Sequence, residues 1–260
     1  MSDKTLRLAV LISGRGSNLK NILEHCALPD FPAEVVCVIS NKEDAPGLLY
    51  AKAFNIPSFV VSHKDYASKA GFETALLDAI APFRVDLICL AGFMRLLSPL
   101  FISHYEGKIL NIHPSLLPAY KGLDTHQRAI DAGEEYAGCS VHIVTPEMDD
   151  GPVLVQRKVE IAKYENADSL AEKVLAEEYI AYPQAIRIVA AEKNAYTEKQ
   201  DKHFNHLGTS MAGTHSSSPA PVDKDALQAS WNGWVQFTHL IKYSVIGICA
   251  VLVLLALITL

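Results

Sequence analysis

The chain has 260 residues, 50% of them hydrophobic and 20% charged, with a net charge of −6 at pH 7. That gives room for one large domain or two small ones, and it is too apolar for a chain disordered throughout. Gly 14 and Pro 13 exclude a collagen-like or low-complexity fibre, and the acidic balance argues against a dedicated nucleic-acid binder, which carries a basic footprint. The five cysteines, Cys26, Cys37, Cys89, Cys139 and Cys249, are scattered without C-x-x-C spacing and read as reduced core residues. Gly14 and Arg15 interrupt the N-terminal apolar run too early for a signal peptide, which puts the first domain in the cytoplasm.

In chain order, Leu6 to Ser13 is a continuous apolar run, as in a strand buried on both faces. Leu19, Ile22 and Leu23 recur at helical spacing behind Ser17 and Asn18, either of which suits an N-cap. Val35 to Ile39 predicts a second strand, Pro46 to Phe54 a helix, and Phe59 to Val61 a short strand. Phe72, Leu76, Leu77 and Ile80 mark another helix, and Val85 to Ala91 and Lys108 to Ile112 two further strands. This alternation implies parallel strands joined by crossover helices. Cys139 to Val144 and Val153 to Ile161 then predict a hairpin-like pair around an acidic loop. Ala167 to about Glu192 predicts a helix that Pro183 kinks or interrupts. The segment rich in Ser, Thr, Gly, Pro and Ala that follows reads as a flexible linker.

Two places carry chemistry. Gly14-Arg15-Gly16-Ser17-Asn18 turns from a strand into a helix, where free backbone N–H groups and the helix dipole favour an anion. Leu19 stands where a dinucleotide fingerprint has its third glycine, and no Walker lysine follows, so a phosphomonoester is the better fit. In Asn111-Ile112-His113-Pro114, residues two apart on a strand share a face, so an amide and an imidazole stand side by side. Such a pair suits a developing oxyanion. Ser140-Val141-His142 and Asp149-Asp150-Gly151-Pro152 add a second histidine and a carboxylate that can favour a charged imidazole or relay a proton.

Four motifs occur in one order: Ile12 to Asn18, Ala91 to Pro99, Asn111 to Pro118, and Ser140 to Pro152. Together they resemble the phosphoribosylglycinamide formyltransferases, folate-dependent enzymes of purine synthesis, over about residues 5–195. The resemblance implies a Rossmann-like formyltransferase fold of class α/β, with a mainly parallel central sheet. It implies 10-formyltetrahydrofolate as cosubstrate, glycinamide ribonucleotide as acceptor, and no metal. It places the catalytic residues on Asn111, His113 and Asp149, and substrate binding on Gly16, Ser17, Asn18 and Glu178. Folate binding falls on Met94, Arg95, Leu96 and Leu97, with Asn111 and, by spacing alone, Lys69. A lysine there lacks the planar guanidinium fork of the family's arginine. His142 is expected to support the site.

Methionyl-tRNA formyltransferase shares the motif at Asn111 to Pro118 but normally lacks the Ser13 to Asn18 loop and adds a tRNA-binding domain, against which the acidic balance argues. Formyltetrahydrofolate deformylase usually carries a regulatory domain before the catalytic one. The domains expected are catalytic over 1–195, a linker over 196–230 and a membrane-anchoring segment over 231–260. Residues 240–260 are interrupted only by Lys242, and about 18–21 helical residues match a hydrocarbon core of about 30 Å. Trp231, Trp234, Tyr243 and Lys242 sit at one end of this run, as in a tail anchor of the inner membrane with the catalytic domain cytoplasmic. The stretch from Met211 resembles the single-helix subunit IV of bacterial aa3-type cytochrome c oxidase, an interaction module of a respiratory complex.

Overall fold

A computed structural model of the chain describes residues 5–211, with side chains up to residue 195. Seven strands form one sheet: β1 (Leu6–Ile12), β2 (Ala33–Ser40), β3 (Ser58–Val60), β4 (Leu87–Leu90), β5 (Ile109–His113), β6 (Tyr136–Ile143) and β7 (Val153–Glu160). Their order is β3-β2-β1-β4-β5-β6-β7. The first five are parallel, and β6 and β7 add on antiparallel. The mainly parallel α/β sheet expected from the alternation of elements is therefore present. The strand order reverses between β1 and β4, and such a switch point opens a crevice at the carboxyl ends of the strands.

The helices are α1 (Ser17–Cys26), α2 (Leu48–Ala53), α3 (Lys69–Ile80), α4 (Pro99–His104), α5 (Thr125–Asp131) and α6 (Ala167–Met211). Alternate residues of β1 explain its unbroken hydrophobicity. Leu8, Val10 and Ile12 pack on one side with Leu19 and Ile22 of α1 and Tyr182 and Ile186 of α6. Ala9 and Leu11 face the other side, with Leu76 and Ile80 of α3 and Phe101 of α4. Cys37, Cys89 and Cys139 are buried in these layers, and burial pushes the Cys37 and Cys139 thiols up to about 12.

Pro183 does not interrupt α6, which runs from Ala167 to Met211. A proline removes the N–H that would bond the carbonyl four residues back, here that of Tyr179. That carbonyl instead accepts a 2.9 Å hydrogen bond from the Asn21 side-chain amide of α1. The helix also extends past residue 195 into the segment expected as linker, where Glu198, Lys199, Gln200 and Lys202, all good helix formers, continue after the apolar periodicity stops. Among the described residues, those up to Phe204 form one compact unit. Among the described residues no helix is long and apolar enough to cross a membrane. The run at 240–260, the expected anchor segment 231–260 and the rest of the expected linker lie outside the described residues.

Candidate active site

The antiparallel register pairs Asn111 with His142 and His113 with Ser140. Directly opposed residues share a face, so β5 and β6 present the amide and both imidazoles on one side of the sheet. The chain leaves β6 at Ile143, opposite Leu110 near the start of β5, yet Asp149 reaches back to the histidines. Its Oδ2 lies 3.5 Å from His113 Nδ1 and its Oδ1 3.7 Å from His142 Nε2. Gly151 permits this return, since a Cβ there would come within 1.8 Å of the Ile143 carbonyl oxygen. Asp149 takes φ 50°, a left-handed conformation that aspartate tolerates better than most residues. The Gly122 N–H donates to its Oδ2 at 3.0 Å, and Lys121 pairs with Asp150 alongside.

The two histidines differ in what faces their nitrogens. His142 is buried, and its Nδ1 lies 2.9 Å from the Ile143 carbonyl, to which only an N–H can donate. Burial pushes its pKa below the ordinary 6.5, more than its hydrogen bond to Ile143 and the Asp149 charge can restore. The ring is therefore neutral with a bare Nε2. That lone pair accepts from Asn111 Nδ2 at 3.2 Å, which turns the NH2 of Asn111 toward the site. The 3.7 Å approach of Nε2 to Asp149 is accordingly not an ion pair. His113, also buried, donates from Nε2 to the Tyr120 carbonyl at 2.9 Å, which aims Nδ1 at Asp149. Both of its nitrogens face oxygen acceptors, an arrangement that the doubly protonated ring satisfies.

A hydrogen-bonded frame holds the loop after β5. Ser140 Oγ donates to the Ser115 carbonyl at 2.7 Å and accepts from the Leu117 N–H at 3.1 Å. Gln156 Nε2 donates to Ser140 Oγ at 2.9 Å and to the Leu117 carbonyl at 3.0 Å. Pro114 and Pro118 are the readable sign of this rigidity. The Tyr120 carbonyl and Gly122 N–H are backbone groups, which no side-chain pattern announces.

At the end of β1, Gly16 has φ 73° and forms the N-cap of α1, without a side-chain cap and with no acidic residue in the first turn. The first N–H groups of a helix have no intrahelical partner, so Gly16, Ser17 and Asn18 stand at an anion-favouring terminus. Gly16 serves the protein as well as any ligand: a Cβ there would lie 2.5 Å from the Gly47 Cα. Asn18 Nδ2 donates to Glu178 Oε2 at 2.7 Å, which joins two of the expected substrate residues across α1 and α6. Both side chains are buried, and Asn18 Oδ1 has no protein partner. Burial raises the pKa of Glu178, partly opposed by the Asn18 amide.

The loop after β4 carries Met94, Arg95, Leu96 and Leu97, and β4 lies between β1 and β5. The Met94 N–H donates to Ser13 Oγ at 2.8 Å, and Ser13 Oγ donates to Asn41 Oδ1 at 2.6 Å, tying this loop to the end of β1. Its far end is held by Glu73 of α3, a buried carboxylate that accepts from the Ser98 N–H at 2.7 Å and from the Ser98 hydroxyl. Lys69 is half exposed at the start of α3, with Nζ 3.9 Å from Glu73 Oε1. Ser98-Pro99 is legible as an N-cap followed by proline, but its bond to Glu73, 25 residues earlier, is not. Among the described residues no cluster of three or more His, Cys, Asp or Glu side chains is placed to hold a metal ion.

The doubly wound sheet thus carries an anion-favouring helix terminus after β1 and an amide, imidazole and carboxylate group over β5 and β6. The chain belongs to the formyl transferase family, whose model matches residues 6–186. It is 45% identical over 181 residues to the phosphoribosylglycinamide formyltransferase of Haemophilus influenzae, a match that covers 70% of this chain and 85% of that one. It is 43% identical to the trifunctional purine biosynthetic protein adenosine-3 of Chironomus tentans, over 75% of this chain but only 14% of that protein's length. The crystal structure of phosphoribosylglycinamide formyltransferase from Brucella melitensis superposes with a TM-score of 0.70 at 49% identity, covering 72% of this chain and 96% of that one.

Proposed function

We propose that this chain transfers the formyl group of 10-formyltetrahydrofolate to the amine of glycinamide ribonucleotide, a step of de novo purine biosynthesis. The observation that carries this reading is the grouping of Asn111, His113 and Asp149 on one sheet face. When bound, 10-formyltetrahydrofolate supplies the formyl carbon, whose oxygen gains negative charge as the amine adds. Asn111, its amide turned by His142, and the positive ring of His113 stabilise that charge. Asp149 balances the positive ring of His113 and takes part in moving the proton from the attacking amine to the leaving nitrogen.

Substrate binding divides between two places. The backbone N–H groups of Gly16, Ser17 and Asn18 hold the phosphate, as helix N-termini do. Asn18 Oδ1 is an acceptor, so it serves an N–H or O–H of the nucleotide rather than the phosphate, with Glu178 beside it. The folate side falls to Met94, Arg95, Leu96 and Leu97 with Asn111 and Lys69. The exposed apolar side chains of Met94 (69%) and Leu96 (66%) suit a flat ring, and the loop backbone suits its polar edge.

The test is formylation by purified protein. Formyl transfer is expected only when both glycinamide ribonucleotide and 10-formyltetrahydrofolate are present. Release of formate without the ribonucleotide would instead identify a hydrolase. The catalytic unit is assigned to the cytoplasm, and residues 240–260 to an inner-membrane anchor, on the strength of a run broken only by Lys242. The full-length chain is then expected in the membrane fraction, and recovery wholly in the soluble fraction would contradict the anchor.

A further inference from the structure

Between Glu178 and Pro183, α6 is fastened at three points. Glu178 takes the Asn18 amide at 2.7 Å, the Tyr179 carbonyl takes the Asn21 amide at 2.9 Å, and the buried Tyr182 hydroxyl lies 3.0 Å and 3.2 Å from the Leu90 and Leu110 carbonyls. Asn18 and Asn21 are one turn apart on α1, so they share a face. Glu178 and Tyr179 are consecutive on α6. The Tyr179 carbonyl lacks its helical partner because Pro183, itself buried, has no N–H to give it, and the Asn21 amide takes that place.

From this geometry we infer that Asn21 is a positioning residue for the glycinamide ribonucleotide site, acting on Glu178 through the carbonyl that Pro183 releases. The inference rests on the reading that Glu178 binds substrate. An orphaned carbonyl near a helix interface draws water or shifts the helix to find a donor. Asn21 supplies that donor from α1, the helix that also opens the phosphate loop. The distance between the Glu178 carboxylate and the first turn of α1 is thereby fixed by two parallel side-chain bonds instead of one. Asn21 touches none of the reacting groups, so it acts on binding and not on chemistry.

The test compares Asn21→Leu, Pro183→Ala, the double variant and Glu178→Gln by steady-state kinetics with both substrates. Asn21→Leu is expected to raise KM for glycinamide ribonucleotide about 10-fold, the scale of one lost hydrogen bond at a half-buried site, with kcat and KM for 10-formyltetrahydrofolate nearly unchanged. Pro183→Ala restores the helix N–H for Tyr179, so Asn21→Leu should cost less than about 2-fold in that background. Equal KM effects in both backgrounds, or a fall in kcat alone, would overturn the inference. Should Asn21→Leu fail to fold, recovery of folding in the double variant supports the device, and a double variant equally unfolded contradicts it. Glu178→Gln separates the two claims. If it leaves KM for the ribonucleotide unchanged, the reading of Glu178 falls. If it raises KM while Asn21→Leu does not, only the positioning role falls.

Discussion

The Ile143 carbonyl decides which nitrogen of His142 carries its proton, burial disfavours a second one, and the bare nitrogen decides how Asn111 points. The Nδ1–H is committed to the Ile143 carbonyl, so the bare Nε2 can only accept. Protonation would replace this acceptor with a donor facing the Asn111 amide. His142→Leu is therefore expected to lower kcat by about 10-fold or more, short of the loss of about 10²–10³ for removing an oxyanion donor outright by Asn111→Ala. The same residue gives a pH effect on stability. Its folded pKa lies below 6.5. Above 6.5 the ring is neutral in both states; as pH falls through 6.5 the unfolded chain takes the proton first, and stability drops. Urea unfolding on either side of 6.5 should show this loss in the wild type and a flatter dependence in His142→Gln. Gly16→Ala meets a different constraint. The left-handed conformation costs about 1–2 kcal/mol for a residue with a Cβ, and overlap with Gly47 at 2.5 Å adds to it. A clear drop in thermal midpoint should accompany loss of formyl transfer.

At the scale of elements, local signals were legible and long-range ones were not. The strands around Val10, Val38, Cys89 and Leu110 announce themselves as short apolar runs because both their faces are covered. The side-by-side placement of Asn111 and His113 follows from strand periodicity alone. The meeting of His113 with Asp149 does not, because it depends on a loop that begins opposite Leu110 and returns over the sheet face. Nor does Glu73, whose carboxylate holds the Ser98 end of the 94–97 loop from a different helix. Pro183 was readable as a disturbance of α6, but its repair by Asn21 required knowing which helix packs there. Glu73→Ala removes both acceptors of Ser98. It is expected to raise KM for 10-formyltetrahydrofolate several-fold while leaving KM for glycinamide ribonucleotide close to wild type, as measured by steady-state kinetics.

For the whole molecule, the sheet order brings three loops to one edge: the anion-favouring turn after β1, the loop after β4 and the loop after β5. His142 on the antiparallel β6 lies beside Asn111, and the loop between β6 and β7 returns over the sheet face to bring Asp149 to both histidines. On the proposed reading, a nucleotide phosphate at α1 and a formyl donor at the 94–97 loop meet over the β5–β6 face. The account turns on Asp149 and His113 acting together in formyl transfer, and turnover of Asp149→Asn tests it most directly. The substitution keeps the side chain's shape, and with it the acceptor for the Gly122 N–H. kcat for formylation of glycinamide ribonucleotide should fall by at least about 10²-fold, with both KM values within a few-fold of wild type. Near-normal turnover by a correctly folded Asp149→Asn protein would contradict it.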